Sequence, residues 1–249
     1  MDPVADATPQ ASGSRWMVVA LAALAGRVVG AIATWALTGR DAGAAGPSAG
    51  APGRSSVEVA AAIGPLALPT DCPLQLDDPD LLPNAARDYR GGVHEGVDFI
   101  CRELGHDATT PLPGRVMVAA RDLPEPTPEE RVDLLADAKA LGDTPPWTLR
   151  LLYGQFVVID HGVIDGAGHV VTLYAHLAEV DPALRPGLEI PAGTRVGAIG
   201  ESGTQAAGTG EDAPYSIHLH WEVQVDDEFL GRGDDPDEVR AAYRTLFGL

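Results

Sequence analysis

A run of alternating apolar and polar residues near the end of the chain restricts the fold more than any other feature. Between Ile217 and Asp226 every second residue is apolar, and the residues between them are two histidines, a glutamate, a glutamine and an aspartate. This period of two predicts a β-strand with one apolar and one polar face. His218 and His220 therefore lie on the same side of the strand, about 6.5 to 7 Å apart at the backbone. Two imidazoles at this spacing can serve one metal ion, one as a ligand and the other beside it.

Two further motifs carry groups of the same kind. His94 and Asp98 are four positions apart and flank Gly96. A glycine between them lets the backbone turn, so the imidazole and the carboxylate can converge on one ion. Zinc accepts this mixture of nitrogen and oxygen ligands. His176 ends a second alternating run, from 169 to 176, which predicts that it lies at the polar edge of another strand.

The order of these three motifs along the chain is more specific than any one of them. His-x-Gly-x-Asp comes first, then Tyr-Ala-His-Leu, then His-Leu-His-Trp-Glu. This arrangement resembles the lysostaphin-like or LytM-type zinc endopeptidases, which are peptidase family M23. The resemblance covers about residues 87–226.

The resemblance implies a role for each of five side chains. The zinc ligands would be His94, Asp98 and His220, which leave a fourth tetrahedral position for water. His176 and His218 would be the catalytic residues, acting on that water and on the developing oxyanion. Which of the two imidazoles is the general base stays open.

The resemblance also implies a fold and an activity. The expected fold is mainly β, an antiparallel sheet with a substrate groove of the lysostaphin-like, duplicated-hybrid-motif type. The expected activity is zinc-dependent hydrolysis of peptide bonds in bacterial peptidoglycan, in the stem or the cross-bridge, during cell-wall remodelling. Two alternatives stay open: a membrane-tethered, non-catalytic LytM-type activator or wall-binding scaffold, and a zinc peptidase that acts on secreted protein.

The net charge narrows the choice of partners. The chain has 17 lysines and arginines against 36 aspartates and glutamates, which gives a formal charge of -19. A phosphate backbone would be repelled, so nucleic acid is not an expected partner. Recognition of peptidoglycan peptides would have to rely on shape and hydrogen bonds.

The N-terminus carries a separate hydrophobic segment. Residues 16–37 are apolar except for Arg27 and are long enough to cross a bilayer as a helix. This pattern predicts a transmembrane anchor, and the alternative is a cleaved secretory signal with its apolar region at 17–26. The expected location is the cell membrane, single-pass, with the catalytic domain outside the cytoplasm, or secretion if the segment is cleaved.

Shifts in composition divide the rest of the chain. Glycine, alanine, proline and serine dominate residues 38–56, which predicts a flexible linker. Repeated prolines from Pro65 to Pro83 predict an extended, irregular segment, and an irregular lead-in is assigned to 57–86. A short tail at 1–15 precedes the hydrophobic segment, and the M23-like domain is assigned to 87–249.

An insertion at 121–154 interrupts the M23-like pattern. Thr127 and Glu130 form a capping box and a glycine provides a stop, so one inserted helix is predicted over 128–141. We interpret the insertion as a surface elaboration, with a lid or specificity wall beside the groove as the alternative. A C-terminal helix is predicted after Pro236, where acidic residues precede basic ones.

Cys72 and Cys101 are the only cysteines in the sequence. An even pair in an exported domain favours a disulfide, and two separate buried thiols are the alternative. Cys101 is not expected to bind metal, because three residues of separation place it on the strand face opposite Asp98.

The remaining candidates receive weaker assignments. His106, His161 and His169 have no partner at ligand spacing and are given no role in the site. Glu222 shares the polar face of the histidine strand. It is interpreted either as a partner of a metal ligand or as a solvated carboxylate.

Overall fold

The structure is a computed structural model that describes residues 53–210, 213 and 215–249. The predicted tail and hydrophobic segment, and most of the predicted linker, lie before residue 53 and outside the described residues. In the described part of the chain, no helix is both long and apolar enough to cross a bilayer. The membrane anchor therefore stays a prediction.

Antiparallel strands dominate the described residues. They are β1 (Ala86–Arg87), β2 (Gly92–Val93), β3 (Val97–Ile100), β4 (Asp107–Thr109), β5 (Gly114–Ala120), β6 (Gln155–Ile164), β7 (Gly168–Val180), β8 (Glu189–Ile190), β9 (Arg195–Ile199), β10 (His218–Val225) and β11 (Glu228–Phe229). Within the described ranges, β1 and β2 form a separate hairpin and the other nine strands form one sheet. Its main path runs β11, β10, β7, β6, β5, β8, while β3 pairs with β10, and β9 pairs with β4 and β7. The predicted mainly β, antiparallel fold is confirmed.

Helices lie between and after these strands. They are α1 (Ser56–Ile63), α2 (Pro128–Leu141), α3 (Pro146–Tyr153), α4 (Gln205–Thr209) and α5 (Pro236–Phe247), with a 3-10 turn at Pro79–Leu81. The helix predicted over 128–141 is confirmed, since Thr127 caps α2 and Gly142 ends it in the left-handed conformation. The predicted C-terminal helix is confirmed as α5, which begins with a capping box at Asp235.

Two helices depart from the sequence-based predictions. The prediction of one inserted helix is wrong, because the inserted segment (residues 121–154) also contains α3. This helix starts at Pro146 without a side-chain cap, so the local start signal that remains is the proline at the first helical position. The irregular lead-in predicted from residue 57 is wrong at its start, where Ser55 and Glu58 form a capping box for α1.

The main hydrophobic core lies against one face of the sheet. Leu219, Trp221 and Val223 of β10 are buried there together with side chains of α1 and α5. The ring centroids of Trp221 and Phe247 of α5 are 5.6 Å apart. Because side chains alternate along a strand, the polar residues of β10 must point to the opposite face of the sheet.

A disulfide joins Cys72 to Cys101, as the sequence predicted. It ties the lead-in to the end of β3 across a sequence separation of 29 residues. Closing a loop of this length stabilises a fold by about 3 to 4 kcal/mol in the chain-entropy account. Cys101 is therefore a structural residue and not a metal ligand.

Gly96, directly before β3, leaves no room for a side chain. An added Cβ would collide with the carbonyl oxygen of Trp221 and with Cγ of Glu222. We therefore expect Gly96→Ala to lower the free energy of unfolding by about 1 to 3 kcal/mol in a denaturant titration. The matched control is Gly208→Ala, where the nearest atom would be the Pro126 carbonyl oxygen at 3.5 Å. Equal stability of the two variants would contradict the close approach of the chain to β10.

Candidate metal centre

Three side chains from two distant parts of the chain converge at one point. His94 Nε2 lies 3.1 Å from Asp98 Oδ1 and 2.9 Å from His220 Nδ1. The third side of this triangle, from His220 Nδ1 to Asp98 Oδ1, is 3.0 Å. All three residues are buried. The fold thus brings together the three side chains that the sequence motifs predicted as metal ligands.

Strand pairing explains two of the three positions. In the antiparallel pair of β3 and β10, Asp98 lies directly opposite His220. Residues directly opposite each other have Cβ atoms about 4.5 to 5.5 Å apart, so a carboxylate and an imidazole there can meet. Both side chains point away from the main core, because Trp221 beside His220 is buried in it.

The hairpin of β1 and β2 supplies the third side chain. His94 directly follows β2, and its Nδ1 donates a hydrogen bond to the carbonyl oxygen of Leu82 at 3.0 Å. This contact turns the other ring nitrogen, Nε2, toward Asp98 and His220. Gly96 lets the chain between the two ligands pass close to β10.

The donor atoms fit a zinc ion. Tetrahedral zinc with bonds of about 2.0 to 2.1 Å keeps its ligand atoms about 3.3 to 3.4 Å apart. The separations of 2.9 to 3.1 Å in the triangle need to widen by about 0.2 to 0.5 Å. Two imidazole nitrogens and one carboxylate oxygen are donors that zinc accepts. Three protein ligands leave one coordination position open, as in catalytic rather than structural zinc sites.

Without metal, positive charge in the centre is carried by His220 between two carboxylates. Its Nδ1 faces Asp98, and its Nε2 lies 2.9 Å from Oε1 of Glu222. Burial alone would lower the pKa of His220, but these hydrogen bonds and the two negative charges outweigh burial and raise it to about 9. Burial would raise the pKa of Asp98, yet the nearby histidines, His94 first, hold it well below its ordinary value. At neutral pH a protonated His220 therefore lies between two ionised carboxylates.

Two more imidazoles lie beside the triangle. The ring centroids of His176 and His218 are 4.5 Å apart, and His218 Nε2 is 3.9 Å from Asp98 Oδ1. Nδ1 of His176 donates to the Ser202 carbonyl oxygen at 2.8 Å, and Nδ1 of His218 donates to the Ser216 carbonyl oxygen at 3.0 Å. A ring nitrogen that faces a carbonyl oxygen must carry the proton, so each neutral ring has an unprotonated Nε2.

The backbone at His176 leaves the regular strand geometry. β7 pairs with β10 up to Ala175 and with β9 from Leu177, and its register with β6 shifts at the same place. His176 has a φ of 60°, a conformation that costs energy and persists only where the surrounding structure holds it. Register shifts beside functional sites re-aim side chains. Burial, with smaller contributions from His218 and His220, lowers the pKa of His176 well below its ordinary value, so this ring is neutral at pH 7.

Glu222 is completely buried, which decides between its two interpretations. Its exposed fraction is 0%. Its Oε1 accepts hydrogen bonds from His220 Nε2 and, at 2.7 Å, from the hydroxyl of Tyr153. The interpretation as a solvated carboxylate is therefore wrong, and the interpretation as a partner of His220 agrees with the structure. The place of Tyr153 in this site was not predicted. Its hydrogen bond to Glu222 joins residues 69 positions apart, and no local sequence pattern indicates it.

The histidines without an assigned role make contacts elsewhere. His106 lies 2.8 Å from the exposed carboxylate of Asp71, and Cys72 completes a second cluster of metal-ligand types. The sulfur of Cys72 is taken by the disulfide, so this cluster lacks a third ligand. His161 and His169 form hydrogen bonds within the hairpin of β6 and β7.

Together, the fold and the centre define a class of protein: an antiparallel β domain with a buried His, Asp, His triangle and two adjacent imidazoles. Residues 140–231 match the sequence model described as peptidase family M23. This match confirms the resemblance that the motifs indicated. It includes the histidine motifs at 176 and 218–220, whereas His94 and Asp98 precede it and are joined to it by the geometry of the centre.

Similar solved structures include a Pseudomonas aeruginosa protein described as peptidase M23, a zinc-containing peptidase from Vibrio cholerae, and the catalytic domain of the antimicrobial peptidase lysostaphin from Staphylococcus simulans. Sequence identities are 20%, 20% and 16%, and TM-scores are 0.39, 0.34 and 0.34. The matches cover 72%, 55% and 59% of this chain, and 51%, 28% and 79% of the three structures. The chain thus spans about half of the first structure and about a quarter of the second. No curated protein matches the chain.

Metal binding at this centre should release a proton. A metal needs the Nδ1 lone pair of His220, and at neutral pH that nitrogen is protonated because the pKa is raised to about 9. We expect calorimetric zinc titrations in buffers of different ionisation enthalpy to show release of about one proton at pH 7. The affinity should rise about tenfold per pH unit from pH 7 toward 9 and then level off. Binding without proton release would contradict the protonated state of His220.

Proposed function

We propose that the protein is a zinc-dependent endopeptidase that hydrolyses peptide bonds of bacterial peptidoglycan, in the stem or the cross-bridge, during cell-wall remodelling. The observation that carries the proposal is the buried triangle of His94, Asp98 and His220, with sides of 2.9 to 3.1 Å. Beside it, His176 and His218 each direct Nδ1 at a backbone carbonyl oxygen, which in the neutral ring leaves Nε2 as the proton acceptor.

Each residue has a separate task in this proposal. His94, Asp98 and His220 would hold zinc, which supplies an acidified water and polarises the substrate carbonyl. One imidazole of the pair His176 and His218 accepts a proton from the attacking water and returns it to the leaving amine. The other donates a hydrogen bond to the developing oxyanion. Burial lowers the pKa of His176 well below its ordinary value, so the ring is neutral at pH 7 and its Nε2 lone pair is available.

The substrate class rests on the family resemblance. The match of residues 140–231 to peptidase family M23 supports a peptide-bond hydrolase, and the motif set supports a wall peptide as its substrate. The formal charge of -19 is consistent with a substrate that is recognised through shape and hydrogen bonds.

A second candidate function is a membrane-tethered, non-catalytic LytM-type activator or wall-binding scaffold. The packing of α3 favours it, because Tyr153 lies against Phe156, Leu173 and Ala175 on the sheet face that carries the metal centre. This contact covers part of the surface that an open substrate groove would expose. The complete set of ligands and both imidazoles favour the enzyme.

Digestion of purified sacculi tests the proposal. The zinc-loaded protein is incubated with sacculi of several cross-link types, and mass spectrometry identifies the released fragments. We expect new amine and carboxyl ends, and we expect His176→Ala and His218→Ala each to lower the rate about 10²- to 10⁴-fold with zinc still bound. The matched control is His169→Ala, which removes an imidazole paired with Asp160 outside the centre and should leave the rate unchanged.

Two results would lead to the alternatives. If no sacculus releases fragments although zinc is bound, the non-catalytic activator or scaffold becomes the better account. If unfolded secreted polypeptide is cut and wall fragments never appear, the protein is a zinc peptidase directed at secreted protein.

We also propose that the domain works outside the cytoplasm, held at the cell membrane by the segment at 16–37 or secreted if that segment is cleaved. The disulfide between Cys72 and Cys101 supports this location. Disulfides form and persist in oxidising compartments, whereas cytosolic thiols are kept reduced.

Thiol trapping checks this location: cells are quenched in acid and the denatured protein is alkylated, because both cysteines are buried in the fold. We expect both cysteines to resist alkylation until a reductant is added, because they are joined to each other. In the control variant Cys101→Ser, the thiol of Cys72 should react without reduction. Two reactive thiols in the wild-type protein would argue for a reducing compartment.

A further inference from the structure

Tyr153 joins the inserted segment to the metal centre. Its hydroxyl donates to Oε1 of Glu222 at 2.7 Å, and the same oxygen lies 2.9 Å from His220 Nε2. We propose that Tyr153 is a positioning residue that raises the affinity of the centre for zinc through Glu222 and His220. This inference rests on the zinc centre of the proposed function, and it gives the inserted segment a role that a surface elaboration lacks.

The hydrogen bonds of Glu222 explain how Tyr153 can act on His220. When Nδ1 of His220 is a metal ligand, the ring proton must be on Nε2. Glu222 then accepts that proton in a hydrogen bond, which fixes both the tautomer and the orientation of the ring. The hydroxyl of Tyr153 is a second donor to the same oxygen, so it holds the carboxylate where His220 needs it.

Burial makes the loss of one donor costly. The exposed fraction is 0% for Glu222 and 8% for Tyr153, so water does not readily replace either partner. The amide of Gln224 donates to the other carboxylate oxygen, Oε2. Without the hydroxyl of Tyr153, His220 Nε2 is the one hydrogen-bond donor left to Oε1 among the described residues. A buried carboxylate that is short of donors shifts its position.

The ring of Tyr153 makes its own contact with the centre. It stacks on the imidazole of His220 with centroids 5.9 Å apart and an interplanar angle of 28°. It also packs on Phe156 at 5.7 Å. Because phenylalanine keeps both ring contacts, Tyr153→Phe isolates the contribution of the hydroxyl.

The rest of the inserted segment holds Tyr153 in place. The carboxylate of Glu125 accepts from the backbone N–H of Gly203 at 2.8 Å, and Arg131 donates to the carbonyl oxygen of Gly203 at 2.7 Å. Directly after Tyr153, Gly154 approaches Ser202 so closely that a Cβ at position 154 would collide with the Ser202 carbonyl group. α3 is therefore anchored at the edge of the centre.

Zinc affinity tests the inference, measured on the whole protein by competition with a chromophoric chelator. We expect Tyr153→Phe to weaken zinc binding about tenfold and Glu222→Gln to weaken it about 10- to 100-fold. The matched control is Tyr243→Phe. Tyr243 is a buried tyrosine whose hydroxyl has no hydrogen-bond partner among the residues that the structure describes. Its variant should bind zinc within about twofold of the wild-type protein.

A double variant separates positioning from an effect on folding. If Tyr153 acts through Glu222, the double variant of Tyr153→Phe and Glu222→Gln should bind zinc no more weakly than Glu222→Gln alone. Thermal unfolding of the metal-free proteins establishes that each variant is folded before zinc is added. If Tyr153→Phe affected folding alone, it would lower the unfolding temperature. Its effect on zinc affinity would then add to that of Glu222→Gln.

The inference and the proposed function can fail separately, because zinc affinity is measured without substrate. Wild-type affinity in Tyr153→Phe, or losses that add in the double variant, would overturn the inference even in an active peptidase. Weaker binding by Tyr153→Phe in a protein that releases no wall fragments would support the inference and overturn the proposed function.

Discussion

The pairing of β3 with β10 is the constraint on which the site depends. It sets Asp98 opposite His220, and a shift of one residue would turn every side chain of β10 to the other face. Leu219 and Trp221 oppose such a shift, because both are buried in the main core and each contributes about 1.5 to 3 kcal/mol by its burial. Packing on one face of the sheet thus keeps the polar side chains on the other face, where His94 completes the triangle.

The inserted segment reaches both sides of the metal centre. On one side Tyr153 contacts Glu222, the hydrogen-bond partner of His220. On the other side Arg131 donates to Gly203, the residue that follows Ser202. The carbonyl oxygen of Ser202 in turn accepts the hydrogen bond that orients His176. The inserted segment therefore contacts residues that position both a candidate metal ligand, His220, and a candidate catalytic residue, His176.

Local patterns in the sequence predicted the parts of the fold that depend on neighbours along the chain. Alternation predicted β10, and the capping box at Thr127 predicted α2 with its observed ends. A similar capping box at Ser55 indicates the start of α1. It was overlooked because residues 38–56, rich in glycine, alanine, proline and serine, were assigned to a linker. The surroundings of Glu222 could not be predicted, because its burial and its bond to Tyr153 depend on α3, a helix without a side-chain cap.

The most direct test of the central claim is anomalous X-ray diffraction at the zinc edge from crystals of the zinc-loaded protein. The account predicts a single strong peak about 2.0 to 2.2 Å from His94 Nε2, Asp98 Oδ1 and His220 Nδ1, within reach of His176 and His218. A peak at another place, such as beside Asp71 and His106, or no peak among these three side chains, would contradict it.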